Sequence, residues 1–377
     1  RDEIEYLSLA RSLAAGQGFT YDEAVRQGPF VPFGRAPGYP AFLALVGGGA
    51  AVTATVPTAV KVAQALVGGL GVCLVGLTAY RLAGQRAARA AAAIAAAYPP
   101  LVWISGYAYS EAIFWPLGLA VVWLFDRTEA GTDRWRTGLV CGLVTGVGTL
   151  IRPQLLLFCP LAALWLLWRS HWRAVAALTV GVLVIVLPWT GRNYREHGRV
   201  VLVASEGGVT FWTGNHPDAP GEGDLAANPH LRVLQQAFRL RHPGLTEEEL
   251  EPLYYRDAVE TMARRPLAWA ALVVRKAAHV WLPTGPSYRL HSPLYYWTTL
   301  VSYLTVLPFA AAGLLRLRAR HASPVALLLL AGSVVALSLV FFPQERFRIP
   351  VLDPTYVVLA SAWLADRRRG ALAPEPA

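Results

Sequence analysis

Long runs of apolar residues, separated by short polar connectors, occupy most of the chain. A bilayer core of about 30 Å needs roughly 20 apolar residues in a helix, and backbone polar groups at that depth must pair internally. The pattern therefore predicts an all-α polytopic membrane protein. Its nine candidate spans lie near 59–80, 88–105, 110–126, 137–151, 153–168, 172–189, 293–315, 324–342 and 349–365.

Two segments before the first span are apolar but too short to cross. In 2–14, apolar residues recur at helical spacing, which predicts an amphipathic helix lying on the membrane. The Gly-rich segment 38–54 is typical of an interfacial or re-entrant piece. Because the sequence begins with Arg1 rather than Met, we expect a transmembrane helix that precedes these segments to be missing.

Positive charge marks every second connector. Connectors rich in Lys and Arg face the cytoplasm, whereas long loops do not govern orientation. The marking residues are Arg81, Arg86, Arg89, Arg127, Arg134, Arg136, Arg169, Arg173, Arg316, Arg318, Arg320 and Arg367 to Arg369. The opposite, outer side then holds 1–37, 106–109, Arg152, 190–292 and 343–348.

The long outer segment is nearly neutral, and its Pro, Gly and Asn content suggests a small ordered lobe. We expect lobe helices near 231–241 and 246–264 and a second interfacial helix at 266–282. The predicted division is a first outer loop (1–58), six spans (59–189), the extracytoplasmic lobe (190–292), three spans (293–366) and a cytoplasmic tail (367–377).

Composition excludes several other classes of protein. Hydrophobic residues make up 55% of the chain, charged residues only 15%, and the mean hydropathy is +0.39, whereas soluble domains carry about 25% charged residues. The net charge of +10 does not indicate nucleic-acid binding, because the arginines punctuate apolar runs rather than form one stripe. The three cysteines lie inside apolar runs, so they indicate buried hydrophobes rather than a disulfide framework.

Unusual charged residues gather on the outer side. An acidic pair opens the first amphipathic segment, another acid begins a span, and arginines border several spans: Asp2, Glu3, Arg35, Glu111, Arg152, Arg192, Arg346 and Arg348. A single arginine at a membrane boundary is more often a snorkelling anchor, but several beside an acidic pair favour an anion site. Guanidinium forks match phosphate oxygens, so a lipid phosphate is the expected ligand.

Familiar chemical motifs do not occur in the sequence. It contains no Asp-x-Asp pair for a metal–nucleotide-sugar clamp, no P-loop, no His-Glu-x-x-His and no Gly-x-Ser-x-Gly. Its eight histidines offer no paired ligand spacing, so neither a metal nor another cofactor is expected.

Several short motifs, taken in order, resemble those of bacterial membrane glycosyltransferases. These enzymes are relatives of dolichyl-phosphate-mannose protein mannosyltransferases and of the lipid A aminoarabinose transferase. The motifs are Asp2-Glu3-x-x-Tyr6-x-x-Leu9-Ala10-Arg11-x-Leu13, Arg35-x-Pro37-Gly38-Tyr39-Pro40, Leu150-Ile151-Arg152-Pro153, Leu187-Pro188-Trp189-Thr190-x-Arg192-Asn193-Tyr194, Gly207-Gly208 with Gly214-Asn215-x-Pro217, and Arg346-Phe347-Arg348-Ile349-Pro350.

The resemblance implies a C-type glycosyltransferase fold with interfacial helices and an extracytoplasmic lobe. It also implies a multi-pass protein of the cell (inner) membrane whose active site faces away from the cytoplasm. The donor would be a polyprenyl-phosphate sugar, the partners would include membrane lipids, and the acceptor would be a glycan, a lipid or a protein. The expected reaction is a single inverting displacement, without a nucleic-acid partner.

The resemblance also suggests roles for individual residues. Asp2 would be the catalytic base, and Glu3 would orient it or raise its pKa through like charge. Glu111 and Tyr39 would bind substrate. The candidates for binding the donor phosphate are Arg35, Arg152, Arg192, Arg346 and Arg348. Plain structural roles compete with these: Asp2 would also serve as a helix N-cap and Glu111 as a helix-dipole partner.

Two other functions remain open at this point. A lipid or glycan transporter or flippase would also be polytopic with intramembrane polar groups, although transporters tend to have matched halves. A polymerase or ligase would share outer arginines but would use a lipid-diphosphate donor.

Overall fold

The computed structural model describes residues 2–26, 34–50, 55–282 and 285–370, and every regular element in these ranges is helical. The chain is an all-α polytopic membrane protein, as its apolar pattern predicts. The end of the predicted tail, 371–377, lies outside the described residues.

The helices follow the predicted order. The part of the chain before the first span contains α1 (Asp2–Ala14), α2 (Glu23–Arg26) and α3 (Gly38–Leu45). The next part contains α4 (Thr58–Ala97), α5 (Pro99–Trp103), α6 (Glu111–Ala130), α7 (Arg134–Ile151), α8 (Phe158–Trp168) and α9 (Trp172–His197). The lobe contains α10 (Gly207–Asn215), α11 (Pro229–Leu240), α12 (Glu247–Arg264) and α13 (Pro266–Trp281). The last part contains α14 (Pro293–Ala319), α15 (Val325–Val340), α16 (Glu345–Arg348) and α17 (Leu352–Gly370).

Each predicted span coincides with helical structure. Within the described ranges, α4, α9 and α14 are long and apolar enough to cross a membrane unaided. Helix α4 covers the first predicted span and the first part of the second, which continues into α5. The chain reverses within α4 at Gly84, whose backbone φ of 81° is readily adopted by glycine. Gly76 before that point packs beside Ala88 and Ala92 after it, so the two halves of α4 fold against each other.

The spans form one continuous apolar core. Helix α7 packs between α6 and α9, α4 packs on α6 and α17, and α14 packs along α17. Buried Phe114, Trp115, Phe125 and Phe158 fill the centre of this core. The division into loop, spans, lobe and tail stays a prediction, although these packing partners agree with it.

Helix α1 forms where the sequence predicts it, and its position on the membrane surface stays a prediction. Residues 5–10 are all buried, including the polar Glu5 and Ser8. Helix α3 and the 3-10 turn Gly48–Ala50 pack against it and cover faces that the sequence pattern leaves exposed. Polar residues of α1 are therefore held inside the protein.

The lobe has its own small core. Trp212 of α10 packs with Phe238 of α11 and with Leu250 and Tyr254 of α12, and α11 and α12 lie where the two lobe helices are expected. The Asn215 side chain donates to the Val340 carbonyl oxygen over 2.8 Å. This bond ties the lobe to the end of α15.

Two of the arginine-rich connectors and the candidate site lie at opposite ends of the helix bundle. At one end, Arg81 is paired with Asp126, and Arg169 Nε lies 3.6 Å from Glu129. Asp126 and Glu129 close α6, whereas Glu111 opens it, so the residues around Glu111 lie at the opposite end. Arg81 and Arg169 of two arginine-rich connectors thus share an end of the bundle that is separate from the candidate site.

Candidate active site

Side chains from five separate parts of the chain meet in one ion-pair network at the end of the bundle where α6 begins. They come from the start of α1, the loop before α3, the start of α6, the end of α7 and the short helix α16. The five predicted site residues in it are Asp2, Arg35, Glu111, Arg152 and Arg346. The sequence separation between Asp2 and Arg346 is 344 residues, so only the tertiary fold joins them.

Asp2 lies at the centre of this network and bridges two arginines. Its Oδ1 accepts a hydrogen bond from Arg35 Nη2 over 2.9 Å, and its Oδ2 accepts one from Arg346 Nη1 over 2.6 Å. About a fifth of the Asp2 side chain remains exposed. The carboxylate is therefore fixed in direction and can still be reached from outside.

Arg346 continues the network to Glu111. Its Nε donates to Glu111 Oε1 over 2.9 Å, and the same oxygen lies 2.7 Å from Arg152 Nη1. The Arg346 guanidinium also lies over the ring of Tyr109, 4.4 Å from its centroid. Glu111 is fully buried and Arg152 nearly so, whereas a quarter of the Arg346 side chain is exposed. Arg346 is thus the most accessible guanidinium of the network.

Local sequence explains how two of these arginines reach the site. Arg152 precedes Pro153, and a residue before proline is disfavoured in helical conformation. It is extended (φ −144°, ψ 119°), so α7 ends at Ile151 and the Arg152 side chain turns toward α6. Gly38 packs so closely on Leu150 that a Cβ there would lie 2.9 Å from the Leu150 carbonyl oxygen. This close approach brings the Arg35 loop beside the end of α7.

Charge within the network sets the protonation of its members. Burial favours the neutral form of Asp2, but the positive charges of Arg35 and Arg346 outweigh this effect and lower the Asp2 pKa. Burial would lower the pKa of Arg346, yet Glu111 and Asp2 raise it well above its usual value. Asp2 is therefore a carboxylate at any physiological pH.

The structure gives different environments to Glu3 and Tyr39. The expectation that Glu3 raises the Asp2 pKa is corrected, because the two arginines dominate and lower it. Glu3 Oε1 instead accepts the Ala108 amide over 2.8 Å and so anchors α1 to the turn before α6. Tyr39 is fully buried, and its hydroxyl donates to Gln64 over 2.7 Å. Its place is the core behind the site rather than the surface that a substrate would touch.

Two of the predicted phosphate ligands contact other residues. Arg348 is buried with Asp353, its Nε lying 3.1 Å from Asp353 Oδ1, and its guanidinium stacks on Tyr303. Arg192 contacts Asn193 and the ring of Trp189 at the end of α9. These contacts hold both side chains against other parts of the protein. Their roles stay predictions.

Three members of the network were missed by the sequence analysis. Glu5 Oε2 accepts from Arg35 Nε over 2.9 Å, and Glu206 Oε2 accepts from Arg35 Nη1 over 2.8 Å. Ser110 Oγ accepts from Arg152 Nη1 over 2.9 Å. Glu5 stands one helical turn after Asp2, which is a readable signal. Glu206 precedes the Gly207-Gly208 motif and Ser110 precedes α6. Nothing in their sequence context indicates that they belong to the site.

A small polar cavity lies on the other side of α16. Its volume is about 20 Å³, room for one water-sized molecule. Glu345, Arg348 and Gln344 line it together with Glu222 and His279 of the lobe side. Burial raises the pKa of Glu345 to about 7, with Arg348 opposing and Asp353 adding to the shift, and burial raises the pKa of Glu222 to about 7 as well. Two carboxyl groups beside the site thus change charge near neutral pH.

We expect Glu345→Gln to raise thermal stability at pH 8 and to leave it nearly unchanged at pH 5. A carboxyl whose pKa is higher in the folded than in the unfolded protein stabilises the fold at low pH, and this stability is lost as pH rises through about 7. The neutral amide avoids the buried charge, worth up to about 3 kcal/mol above pH 7. Melting temperatures in detergent at both pH values measure it, with exposed Glu196→Gln as control. Equal shifts at the two pH values would contradict it.

No group of three or more His, Cys, Asp or Glu side chains is arranged to hold a metal ion in the parts of the chain that the structure describes. The hydrogen-bonding atoms of the site are carboxylate and guanidinium groups with one serine hydroxyl. The arrangement can orient a hydroxyl group at Asp2 and can present a guanidinium to an anion beside it.

Comparison with known families agrees with the motifs. Residues 35–190 match the family model of dolichyl-phosphate-mannose-protein mannosyltransferases, which confirms the resemblance over this part of the chain. This stretch includes two of the network arginines and Glu111. A comparison with curated proteins finds no match.

The fold is similar to solved structures of membrane transferases. One is the oligosaccharyltransferase AglB from Archaeoglobus fulgidus in complex with an inhibitory peptide and a dolichol-phosphate (13% identity, 100% of this chain and 48% of that chain, TM-score 0.55). Another is an Archaeoglobus fulgidus oligosaccharyltransferase in complex with Zn and sulfate (16% identity, 98% and 45%, TM-score 0.55). A third is ArnT from Cupriavidus metallidurans bound to undecaprenyl phosphate (16% identity, 98% and 74%, TM-score 0.42).

These likenesses concern the fold. The chain spans about half the length of the two archaeal oligosaccharyltransferases, and it aligns along nearly its whole length with each of them. The expectation of a C-type glycosyltransferase fold is thereby confirmed.

Proposed function

Because residues 35–190 carry the pattern of the dolichyl-phosphate-mannose-protein mannosyltransferase family, we propose that this protein is a membrane glycosyltransferase. It moves a sugar from a polyprenyl-phosphate donor to an acceptor on the outer side of the membrane. The acceptor is a glycan, a lipid or a protein. The protein acts in the cell membrane, with its active site facing away from the cytoplasm.

One observation carries this proposal: a partly exposed carboxylate lies between two guanidinium groups at the outer end of the bundle. Asp2 is held on one side by Arg35 and on the other by Arg346. A hydroxyl acceptor needs a hydrogen-bond acceptor beside it, and a departing phosphate needs fixed positive charge. The network supplies both within the reach of a single sugar.

We assign the donor phosphate to Arg346, supported by Arg152. Arg346 uses Nε for Glu111 and Nη1 for Asp2. A quarter of its side chain stays exposed, and Tyr109 supports the guanidinium plane. Arg152 lies behind Glu111 between the rings of Phe114 and Phe347 and adds positive charge at short range.

The reaction is a single displacement at the anomeric carbon. The acceptor oxygen forms a bond to that carbon, and the bond between the carbon and the phosphate oxygen breaks, its electron pair staying on the phosphate. Asp2 has a lowered pKa, so it serves chiefly to accept a hydrogen bond from the acceptor hydroxyl and to align it. The released phosphate monoester, with a second pKa of about 6, is the stronger base and takes the proton finally.

The test is a transfer assay with the purified protein in liposomes. We expect a polyprenyl-phosphate hexose or pentose to yield a glycosylated acceptor and free polyprenyl phosphate, with inversion of configuration at the anomeric carbon. Donors that differ in the sugar are offered separately, and the products are identified by mass spectrometry and NMR.

Two outcomes would overturn this proposal in different ways. Movement of the glycolipid across the bilayer without formation of a glycosidic bond would indicate a transporter or flippase. Preferred use of a polyprenyl-diphosphate donor over the monophosphate in a competition experiment would indicate a polymerase or ligase.

A further inference from the structure

Each nitrogen of the Arg35 guanidinium already contacts a carboxylate. Its Nε binds Glu5, its Nη1 binds Glu206 and its Nη2 binds both Asp2 and Glu5, at distances of 2.7–2.9 Å. Only 8% of the residue is exposed, and the ring of Tyr6 lies 5.4 Å from the guanidinium carbon. Arg35 is thus held by three carboxylates and is less accessible to a phosphate than Arg346 is.

Glu206 connects Arg35 to the outer lobe. It immediately precedes α10, and it is the most exposed of the three carboxylates around Arg35, with 34% of its side chain accessible. Beside it, the Ser205 amide donates to the Gly34 carbonyl oxygen and the Gly34 amide donates to Ser205 Oγ, both over 3.0 Å. The lobe is thus joined to the Arg35 loop by two backbone amides and one ion pair.

The connection also reaches the centre of the lobe. Ser205 Oγ lies 3.2 Å from Glu248 Oε1 of α12, and α12 packs on α10 through the lobe core. A movement of these helices therefore moves Ser205 and Glu206 together with them. Since Glu206 and Asp2 share one rigid guanidinium, the position of the lobe bears directly on the orientation of Asp2.

We propose that Glu206 and Arg35 form a clamp by which the outer lobe positions Asp2 for the acceptor hydroxyl. This inference rests on the proposed glycosyl transfer, and in it both clamp residues are positioning residues rather than phosphate ligands. Arg35 fixes Oδ1 of Asp2 so that Oδ2 faces Arg346 and the reacting groups. Glu206 holds the opposite end of the same guanidinium and keeps it from rotating.

The clamp also moderates the charge that Asp2 experiences. Arg35 shares its positive charge among three carboxylates, so part of its effect on Asp2 is cancelled by Glu206 and Glu5. Removing Glu206 leaves more of the Arg35 charge on Asp2 and weakens it further as a hydrogen-bond acceptor. Removing the Arg35 charge has the opposite effect, because it raises the pKa of Asp2.

The experiment measures steady-state transfer by Glu206→Gln, Arg35→Lys and Arg35→Gln. For Glu206→Gln we expect kcat to fall about 3- to 10-fold, with donor KM unchanged within twofold. For Arg35→Lys we expect a larger loss of kcat, again without a change in donor KM, because ammonium cannot hold three carboxylates in one plane. For Arg35→Gln we expect a loss of kcat at least as large as for Arg35→Lys, with donor KM again unchanged within twofold.

Controls separate this proposal from a merely structural role and from the proposed function. Glu196→Gln, an exposed change at the end of α9, should match the unchanged protein. A double variant of Glu206→Gln with Arg35→Lys should lose less than the product of the two single losses, since both act through one contact. If the Arg35 variants do not fold, the test is made with Glu206→Gln alone, because the Glu206 side chain is partly exposed.

A donor KM raised tenfold or more in the Arg35 or Glu206 variants would make Arg35 a phosphate ligand and overturn the clamp. A Glu206→Gln variant with unchanged kcat would overturn it as well. Both results presuppose measurable transfer by the unchanged protein, whereas absence of transfer with any lipid-phosphate sugar would overturn the proposed function itself.

Discussion

Replacing Asp2 with asparagine is expected to reduce sugar transfer by about 10³-fold while the protein still inserts and folds. The amide keeps the size of the side chain but cannot accept two charge-assisted hydrogen bonds and cannot align the acceptor hydroxyl as a carboxylate does. Arg35 would retain Glu5 and Glu206, and Arg346 would retain Glu111. The surrounding network therefore remains largely satisfied.

The measurement is the single-turnover rate of transfer in liposomes, together with the melting temperature in detergent. Asp218→Asn is the matched control, because Asp218 lies in the lobe with 53% of its side chain exposed. We expect the control to transfer normally. Transfer by Asp2→Asn within tenfold of the unchanged protein, at equal stability, would remove Asp2 from the mechanism.

Replacing Arg346 with glutamine should lower kcat/KM for the donor by about 10²-fold, chiefly through a higher KM. This residue offers the most accessible guanidinium of the network and is the one we assign to the donor phosphate. The change also removes the bridge between Asp2 and Glu111, so kcat should fall to a smaller extent. For Arg346→Lys we expect a smaller loss of kcat/KM than for Arg346→Gln, because a lysine keeps the charge but cannot bridge two carboxylates.

Donor affinity is best measured directly, by displacement of a labelled polyprenyl phosphate from the protein in detergent. Arg195→Gln serves as the control, since Arg195 is an exposed arginine on α9 at the same end of the bundle. We expect the control to bind with unchanged affinity. Equal losses of affinity in both variants would indicate a general effect of surface charge rather than a phosphate ligand.

The Arg346 and Arg35 experiments together test a division of labour that the charges of the network suggest. The network holds four carboxylates (Asp2, Glu5, Glu111 and Glu206) and three guanidinium groups, so it is not a simple cationic pocket. In this proposal Arg35, which is surrounded by carboxylates, positions Asp2. Arg346, which is more exposed, binds the donor phosphate. A phosphate entering beside Arg346 would then meet a guanidinium that is already held in place.

The sequence alone predicted much of the fold, because membrane-spanning helices are encoded in long local apolar runs. The spans around α6, α7 and α9 and the lobe helices α11 and α12 lie where the apolar pattern places them. The reversal at Gly84 was implied by the arginines near it, although its position required the backbone. The burial of α1 could not be read from the sequence, because helix α3 and the neighbouring turn cover it and such packing leaves no local signal.

For the site, the sequence determined which charged groups border the apolar runs, since such residues are rare and can be recognised one by one. The tertiary structure decided which of them act together. It joined Asp2, Arg35, Glu111, Arg152 and Arg346, added Glu5 and Glu206, and placed Arg348 against Asp353. The physical reason is range: hydropathy is a property of neighbouring residues, whereas an ion pair depends on a few ångströms between atoms that hundreds of residues separate along the chain.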